Sequence, residues 1–189
     1  MKRLHQTVLI GSTLLASWLG MQAVHESGHV LGAWLTGAEV HRVVLHPLTI
    51  SRTDLGHNPK PLFVVWAGPV FGVLLPLVVW GAVALARARG AFLVRFFAGF
   101  CLIANGAYIG LGSLEAVGDC GEMLRHGSSV WQLWMFGAIT IPAGFWLWHR
   151  QGGDFGFGAA GGQVDRGVTY GAIAACLALL ALAFSLGGE

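Results

Sequence analysis

Five long apolar stretches limit what this 189-residue chain can fold into. They run over about residues 7–36, 61–86, 91–112, 130–148 and 168–186. Each is close to or above the roughly 20 residues of helix that cross a bilayer. Inside lipid the backbone must satisfy its own hydrogen bonds, so these stretches are predicted to be helices. The predicted fold is therefore an all-α polytopic membrane protein with about five transmembrane helices.

The charge content also indicates that lipid is the main solvent. Only 11% of the residues are charged and 55% are hydrophobic, whereas a soluble domain carries about 25% charged residues. The net charge of +2 is scattered, and no basic block indicates a nucleic-acid partner. We therefore expect a multi-pass protein of the cell membrane whose partners include the bilayer. The sequence does not set an oligomeric state.

Cysteine usage excludes two kinds of stabilising site. The three cysteines are odd in number and far apart, at Cys101, Cys120 and Cys176. None forms a C-x-x-C pair, which argues against a disulfide framework or a cysteine-based zinc site.

Two polar segments interrupt the apolar pattern. In residues 38–60, β-branched valines and the alternating run Leu48-Thr49-Ile50-Ser51 predict one or two short strands at the membrane surface, after the first helix. Residues 151–167 contain seven glycines and are predicted to form a flexible loop. Lys2 and Arg3 precede an apolar run as in a signal peptide, but the helical pattern continues past residue 23, so we expect the segment to be retained.

The motif with the clearest chemistry is His25-Glu26-Ser27-Gly28-His29, an H-E-x-x-H sequence in the first apolar helix. Side chains four residues apart lie on one face of a helix, so both imidazoles can reach one metal ion. Two imidazoles and one carboxylate suit zinc and leave a fourth position for water. Glu26 beside the metal is predicted to be the general base. Ionisable residues in a transmembrane helix are costly and are usually functional.

The third metal ligand is predicted to be an acidic residue that follows the third span. Glu115, Asp119 and Glu122 are the acidic residues there. Asp119 is preferred because the glycines at 118 and 121 can break the helix and aim its carboxylate inward. Glu115 is the alternative ligand, and Glu122 is expected to be solvated at the membrane edge.

Two further features are candidate supporting or substrate-binding residues. Ala67-Gly68-Pro69 lies within the second span, where proline removes a helix hydrogen bond and glycine permits close approach of a neighbour. An ordinary kink and a functional role are both open for Gly68 and Pro69. Asn105 is a polar group in the third span that can orient a ligand, bind substrate backbone or link helices.

Together these residues resemble the site-2 protease family of intramembrane zinc metalloproteases, in the form of its small bacterial members. The resemblance covers about residues 20–123. It is carried by the His-Glu-x-x-His motif, by Ala67-Gly68-Pro69, and by Asn105 followed by Gly118-Asp119-Cys120-Gly121. The sequence differs from the usual family pattern at Cys120, where a glycine commonly follows the third ligand.

The resemblance implies a single membrane-embedded metalloprotease domain over residues 1–189. Its catalytic core would span about residues 7–123 and its accessory helices about residues 130–187. It also implies zinc held by His25, His29 and Asp119, with Glu26 as base. The implied activity is cleavage of a transmembrane or membrane-proximal segment of a membrane protein substrate. We further expect residues 38–60 to offer a strand edge to an unwound substrate.

The sequence leaves two alternative functions open. A membrane protein that binds or transports metal would use the same ligands without needing Glu26. A non-catalytic scaffold that only binds helices would need no metal.

Overall fold

The computed structural model describes residues 2–48 and 51–187, and within them it contains six α-helices and a two-stranded sheet. In chain order these are α1 (Lys2–Thr36), β1 (Val40–Val44), β2 (Arg52–Leu55), α2 (Pro61–Leu85), α3 (Ala91–Gly112), α4 (Gly118–Arg125), α5 (Val130–Trp148) and α6 (Arg166–Leu186). A 3₁₀ turn at Gly158–Ala160 precedes α6.

Five of the helices, α1, α2, α3, α5 and α6, are long and apolar enough to cross a membrane. Each carries large apolar side chains that the bundle leaves exposed, such as Trp34, Val78, Leu111, Trp146 and Phe184. Lipid tails are the environment that such an outer surface requires. The predicted fold, with five spanning helices and a short β-segment after the first, is confirmed, and the chain is a multi-pass membrane protein.

Local signals in the sequence account for the helix ends. Gly37 follows α1 with φ +74°, a conformation that favours glycine at a helix C-terminus. Pro61 begins α2, at a position where its missing N–H has no intrahelical partner to lose. Ser129 and Gln132 form a capping box at the start of α5. The Asp165 side chain accepts a backbone N–H at the start of α6.

Glycines allow α3 and α5 to pack with their backbones close together. A Cβ atom on Gly137 would lie 2.8 Å from the carbonyl oxygen of Gly106 and 3.1 Å from Cα of Gly110. Such close approach of two helices within a membrane depends on residues without bulky side chains. In addition to α5, α3 packs against α1 and α2.

Strands β1 and β2 form an antiparallel hairpin that lies against α1. Val43 is opposite Thr53 in the ladder, with an irregularity between Val40 and Arg42. Ser51 donates a hydrogen bond to Gln22 of α1, and Thr53 donates one to Glu26. Thr49 and Ile50, in the alternating run that predicted a strand, lie outside the described residues.

The glycine-rich segment before α6 folds into turns that pack against α1 and α3. Phe155 is buried and makes edge contacts with the rings of Phe92 and Phe96 in α3. Gln6 of α1 donates a hydrogen bond to the Phe155 carbonyl oxygen at 3.0 Å. The predicted loop is therefore held to α1 and α3 by specific contacts.

Candidate metal centre

His25 and His29 lie one turn apart on α1 and point to the same place. Their Nε2 atoms are 3.1 Å apart, and the side chains are almost fully buried, with residue exposures of 6% and 7%. This follows from the i, i+4 spacing of the motif on a continuous helix.

Asp119 of α4 completes a group of three possible metal ligands. Its Oδ2 atom lies 2.8 Å from Nε2 of His25 and 3.4 Å from Nε2 of His29. The three ligand atoms all lie within 4.8 Å of one another. The structure therefore brings together the three residues that the sequence indicated, and the group can hold a metal ion.

A turn after α3 brings Asp119 to the two histidines. α3 ends at Gly112, the chain then turns through Ala116 at φ +52°, and α4 begins at Gly118, which has φ +57°. The Tyr108 hydroxyl accepts a hydrogen bond from the Asp119 backbone N–H at 3.1 Å. A Cβ atom on Gly118 would overlap the Tyr108 hydroxyl, so this position needs glycine for space as well as for its φ.

The other two acidic residues of this region lie outside the group. Glu115, the alternative ligand, is exposed on the turn between α3 and α4. Glu122 forms ion pairs with Arg125 and, at 3.2 Å, with His126. Glu115 is thus exposed and Glu122 is paired with basic neighbours, so neither belongs to the group.

The outer nitrogen of each imidazole faces a hydrogen-bond acceptor. Nδ1 of His29 is 2.9 Å from the Val64 carbonyl oxygen in α2, and Nδ1 of His25 is 2.6 Å from Oδ1 of Asn105 in α3. The Asn105 amide nitrogen donates to the Cys101 carbonyl oxygen at 2.9 Å, which turns Oδ1 toward His25. With Nδ1 as donor, each ring presents its Nε2 lone pair to the group. Of the roles open for Asn105, this contact corresponds to orienting a ligand.

The converging atoms are electron-rich. Two Nε2 lone pairs and a carboxylate oxygen meet in a buried place, and such a set is stabilised by a shared cation. When a proton instead of a cation lies on Nε2 of an imidazole, that ring donates to Asp119. Burial acts to raise the pKa of Asp119, but such hydrogen bonds and charge interactions with His25 and His29 outweigh burial and hold that pKa well below its usual range. Asp119 is therefore an anionic member of the group at neutral pH.

Cys120, next to the ligand Asp119, is not part of the group. Burial raises the pKa of its thiol to about 11, so the thiol stays protonated at neutral pH. Its Sγ donates to the Tyr108 carbonyl oxygen at 3.2 Å, away from the histidines. The residue packs as a small apolar side chain.

Close packing of α1 on α2 positions His29. A Cβ atom on Gly28 would lie 2.5 Å from the Ala67 carbonyl oxygen and 2.8 Å from Cα of Gly68. A Cβ atom on Gly68 would overlap the His29 ring itself. Pro69 is buried beside it in α2, with no contact to the metal group among the described interactions.

Gly68→Ala is expected to weaken metal binding by about 10- to 100-fold, the range that follows from disturbing the support of a ligand. The added methyl group would push the His29 ring off the Val64 carbonyl. Gly81→Ala is the matched control, because it lies in the same helix and an added Cβ there would meet no neighbouring side chain or helix within 4 Å. Metal titration of both purified variants checks this, and equal affinities would show that the Gly68 contact has no effect on the site.

Glu26 lies beside the metal group without being part of it. It is 5% exposed, and its Oε2 accepts a hydrogen bond from the Thr53 hydroxyl at 2.7 Å. A cavity of about 1220 Å³ borders both Glu26 and the three possible ligands, and residues of the hairpin, α3 and α4 form its other walls. In volume, a space of this size is large enough for water molecules or for a few residues of a peptide.

Sequence reasoning missed two residues at this site. Thr53 and Tyr108 contact Glu26 and Asp119 through single hydrogen bonds, and both are of types that are common at membrane surfaces and in spans. The only signal for Thr53 was its place in the polar segment that was expected to meet a substrate. The only signal for Tyr108 was its position in the third predicted span, shortly before the predicted third ligand.

The arrangement as a whole offers two imidazoles, a carboxylate, and a separate carboxylate beside them at the wall of one cavity. Such a set can bind a divalent cation and can take up a proton next to it.

Among known proteins, no family model, no curated protein and no solved structure is found to match this chain.

Proposed function

We propose that the protein is an intramembrane zinc endopeptidase of the site-2 protease type, which cleaves a transmembrane or membrane-proximal segment of a partner. One observation carries the proposal: His25, His29 and Asp119 converge on one point while Glu26 lies beside them in the same cavity. An acid-base group next to a metal site is what metal-assisted hydrolysis needs.

The donor set and its dimensions support zinc. Bonds of about 2.0–2.1 Å in a tetrahedral zinc site place neighbouring ligand atoms about 3.3 Å apart. The three ligand-to-ligand distances here are 2.8, 3.1 and 3.4 Å. His25, His29 and Asp119 would therefore hold the ion with little movement, and two imidazoles with one carboxylate are a known catalytic set for zinc.

The protein's own acid-base chemistry would centre on Glu26. Zinc, when bound, supplies Lewis-acid activation of water and of the peptide carbonyl. Because Oε2 of Glu26 is held by Thr53, Oε1 is the atom available to accept a proton from the attacking water. The same carboxyl group then returns that proton to the amine as the C–N bond breaks, so that one water is consumed per bond.

The hairpin supports an extended binding mode for the substrate. A peptide bond within a transmembrane helix is protected by its own hydrogen bonds, so the substrate must unwind. Among the described residues β2 pairs only with β1, and β2 borders the cavity next to Glu26. Its second edge can pair with an unwound segment and hold it extended.

Cleavage should depend on a removable metal. The test uses purified protein in vesicles with a set of fluorescent single-span polypeptides, each carrying a Gly-Pro pair at a different depth. We expect 1,10-phenanthroline to stop cleavage and added Zn²⁺ to restore it. The isomer 1,7-phenanthroline, which does not chelate, should have no effect, and cleavage that persists after the metal is removed would refute the proposal.

A further inference from the structure

The Glu26 carboxylate has one described hydrogen bond to the protein, and it comes from outside the helix bundle. The donor is the Thr53 hydroxyl of β2, at 2.7 Å from Oε2. Thr53 is itself fixed by the ladder, where it is opposite Val43 of β1. The group proposed as the base is thus oriented by the surface hairpin and not by a neighbouring span.

A second hydrogen bond shows how the hairpin is aligned with α1. Ser51 donates to Gln22, and Thr53 donates to Glu26. Two residues along a strand advance about 6.6–6.8 Å, and four residues along a helix advance about 6 Å. The hydroxyl of Ser51, just before β2, and that of Thr53 within β2 therefore match successive turns of α1, so the Thr53 contact follows from how the two segments run together.

We infer that Thr53 is a positioning residue of the proposed peptidase, because its hydroxyl holds the Glu26 carboxylate with Oε1 turned to the attacking water. The inference rests on the proposed function and deepens it by making the hairpin part of the catalytic centre.

The physical reason is the freedom of a glutamate side chain. Its last torsion has a broad energy profile, so the carboxylate plane is not set by the backbone. Proton transfer needs the oxygen within hydrogen-bond reach of the water, and misplacement by about 1 Å can cost about 100-fold in rate. A single hydrogen bond from a fixed hydroxyl removes that freedom.

The same contact links substrate binding to the base. A segment that pairs with the free edge of β2 would steady the strand that carries Thr53. The orientation of Glu26 would then be best defined when the substrate is in place. Pairing of the substrate with β2 and orientation of the Glu26 carboxylate would therefore occur together.

The test compares Thr53→Val, which keeps the shape of the side chain without the hydroxyl, with Thr53→Ser, which keeps the hydroxyl. The probe is the most rapidly cleaved of the single-span polypeptides, in detergent micelles. For Thr53→Val we expect kcat to fall by roughly 10- to 100-fold, as for the loss of a hydrogen bond to a charged group. KM and bound zinc should stay within about twofold of wild type, and Thr53→Ser should recover most of kcat.

Two controls separate this role from hairpin attachment and from the chemical change itself. Ser51→Ala removes the other hydrogen bond that the described residues of this segment make to α1, and its effect on kcat should be several-fold smaller. Thr36→Val makes the same substitution at a threonine that bonds only to its own helix, and it should match wild type.

Three outcomes would overturn the inference: an unaltered kcat in Thr53→Val, no recovery in Thr53→Ser, or an equal loss in Ser51→Ala. If wild type cleaves and Glu26→Gln does not, such a result removes only the role of Thr53. If wild type cleaves none of the polypeptides, or if Glu26→Gln cleaves as well as wild type, the proposed function fails and the inference fails with it.

Discussion

Replacing Glu26 by glutamine is expected to reduce peptide cleavage by about 100- to 10,000-fold, the contribution of a positioned general base. Glutamine has the shape of glutamate and can still accept the hydrogen bond from Thr53, but it does not take up a proton at neutral pH. Because Glu26 is not one of the three converging ligands, the variant should keep its metal. Cleavage assays and elemental analysis of the same preparation measure both effects.

Glu39→Gln is the matched control for this prediction. Glu39 is exposed, and its nearest described ion partner is the surface residue His41, so neither cleavage nor metal content should change. A Glu26→Gln protein that binds metal and cleaves like wild type would refute the base assignment. Retained metal transport in that variant would instead favour the transporter alternative.

Asp119→Ala is expected to abolish stable metal binding, with a loss larger than the 10- to 100-fold typical of changing a residue that only supports a ligand. The substitution removes the only carboxylate from the converging group and leaves two imidazoles. His25→Ala should have an equally large effect, because it removes one of the two nitrogen ligands. Competition with a chromophoric chelator measures the affinities, and an unchanged size-exclusion profile confirms that each variant is folded.

Glu115→Ala provides the comparison for the third ligand. Glu115 precedes Asp119 by one helical turn in sequence but is exposed on the turn after α3. We expect this variant to bind metal like wild type. Metal loss in Glu115→Ala together with retention in Asp119→Ala would assign the third ligand to Glu115 and refute the geometry described above.

The spanning helices could be predicted from the sequence because hydropathy and length fix them. The fourth predicted span, residues 130–148, has the same bounds as α5. The first was expected from about residue 7, but α1 begins at Lys2, since polar residues can extend a helix beyond its apolar run. The eight-residue α4 was not anticipated, because a helix this short leaves too little periodicity to recognise.

The site divides into a part that is local in sequence and a part that depends on tertiary packing. His25, Glu26 and His29 follow from one helical turn, so the motif sufficed. The contact of His25 with Asn105 joins residues 80 positions apart, and it requires α1 and α3 to cross at that depth. The hydrogen bond from Thr53 to Glu26 likewise depends on where the hairpin packs against α1. No pattern in the sequence specifies that position.

The separation of the ligands along the chain affects how the protein is made. Asp119 lies 94 residues after His25, and it is carried by a short helix that follows the third span. Because synthesis proceeds from the N-terminus, the ribosome releases both histidines long before the aspartate. A nascent chain in the insertion machinery therefore lacks the complete set of three possible ligands until Asp119 has been translated. The order of synthesis alone would therefore keep the proposed peptidase centre incomplete while the first helices of the same chain are still unpacked.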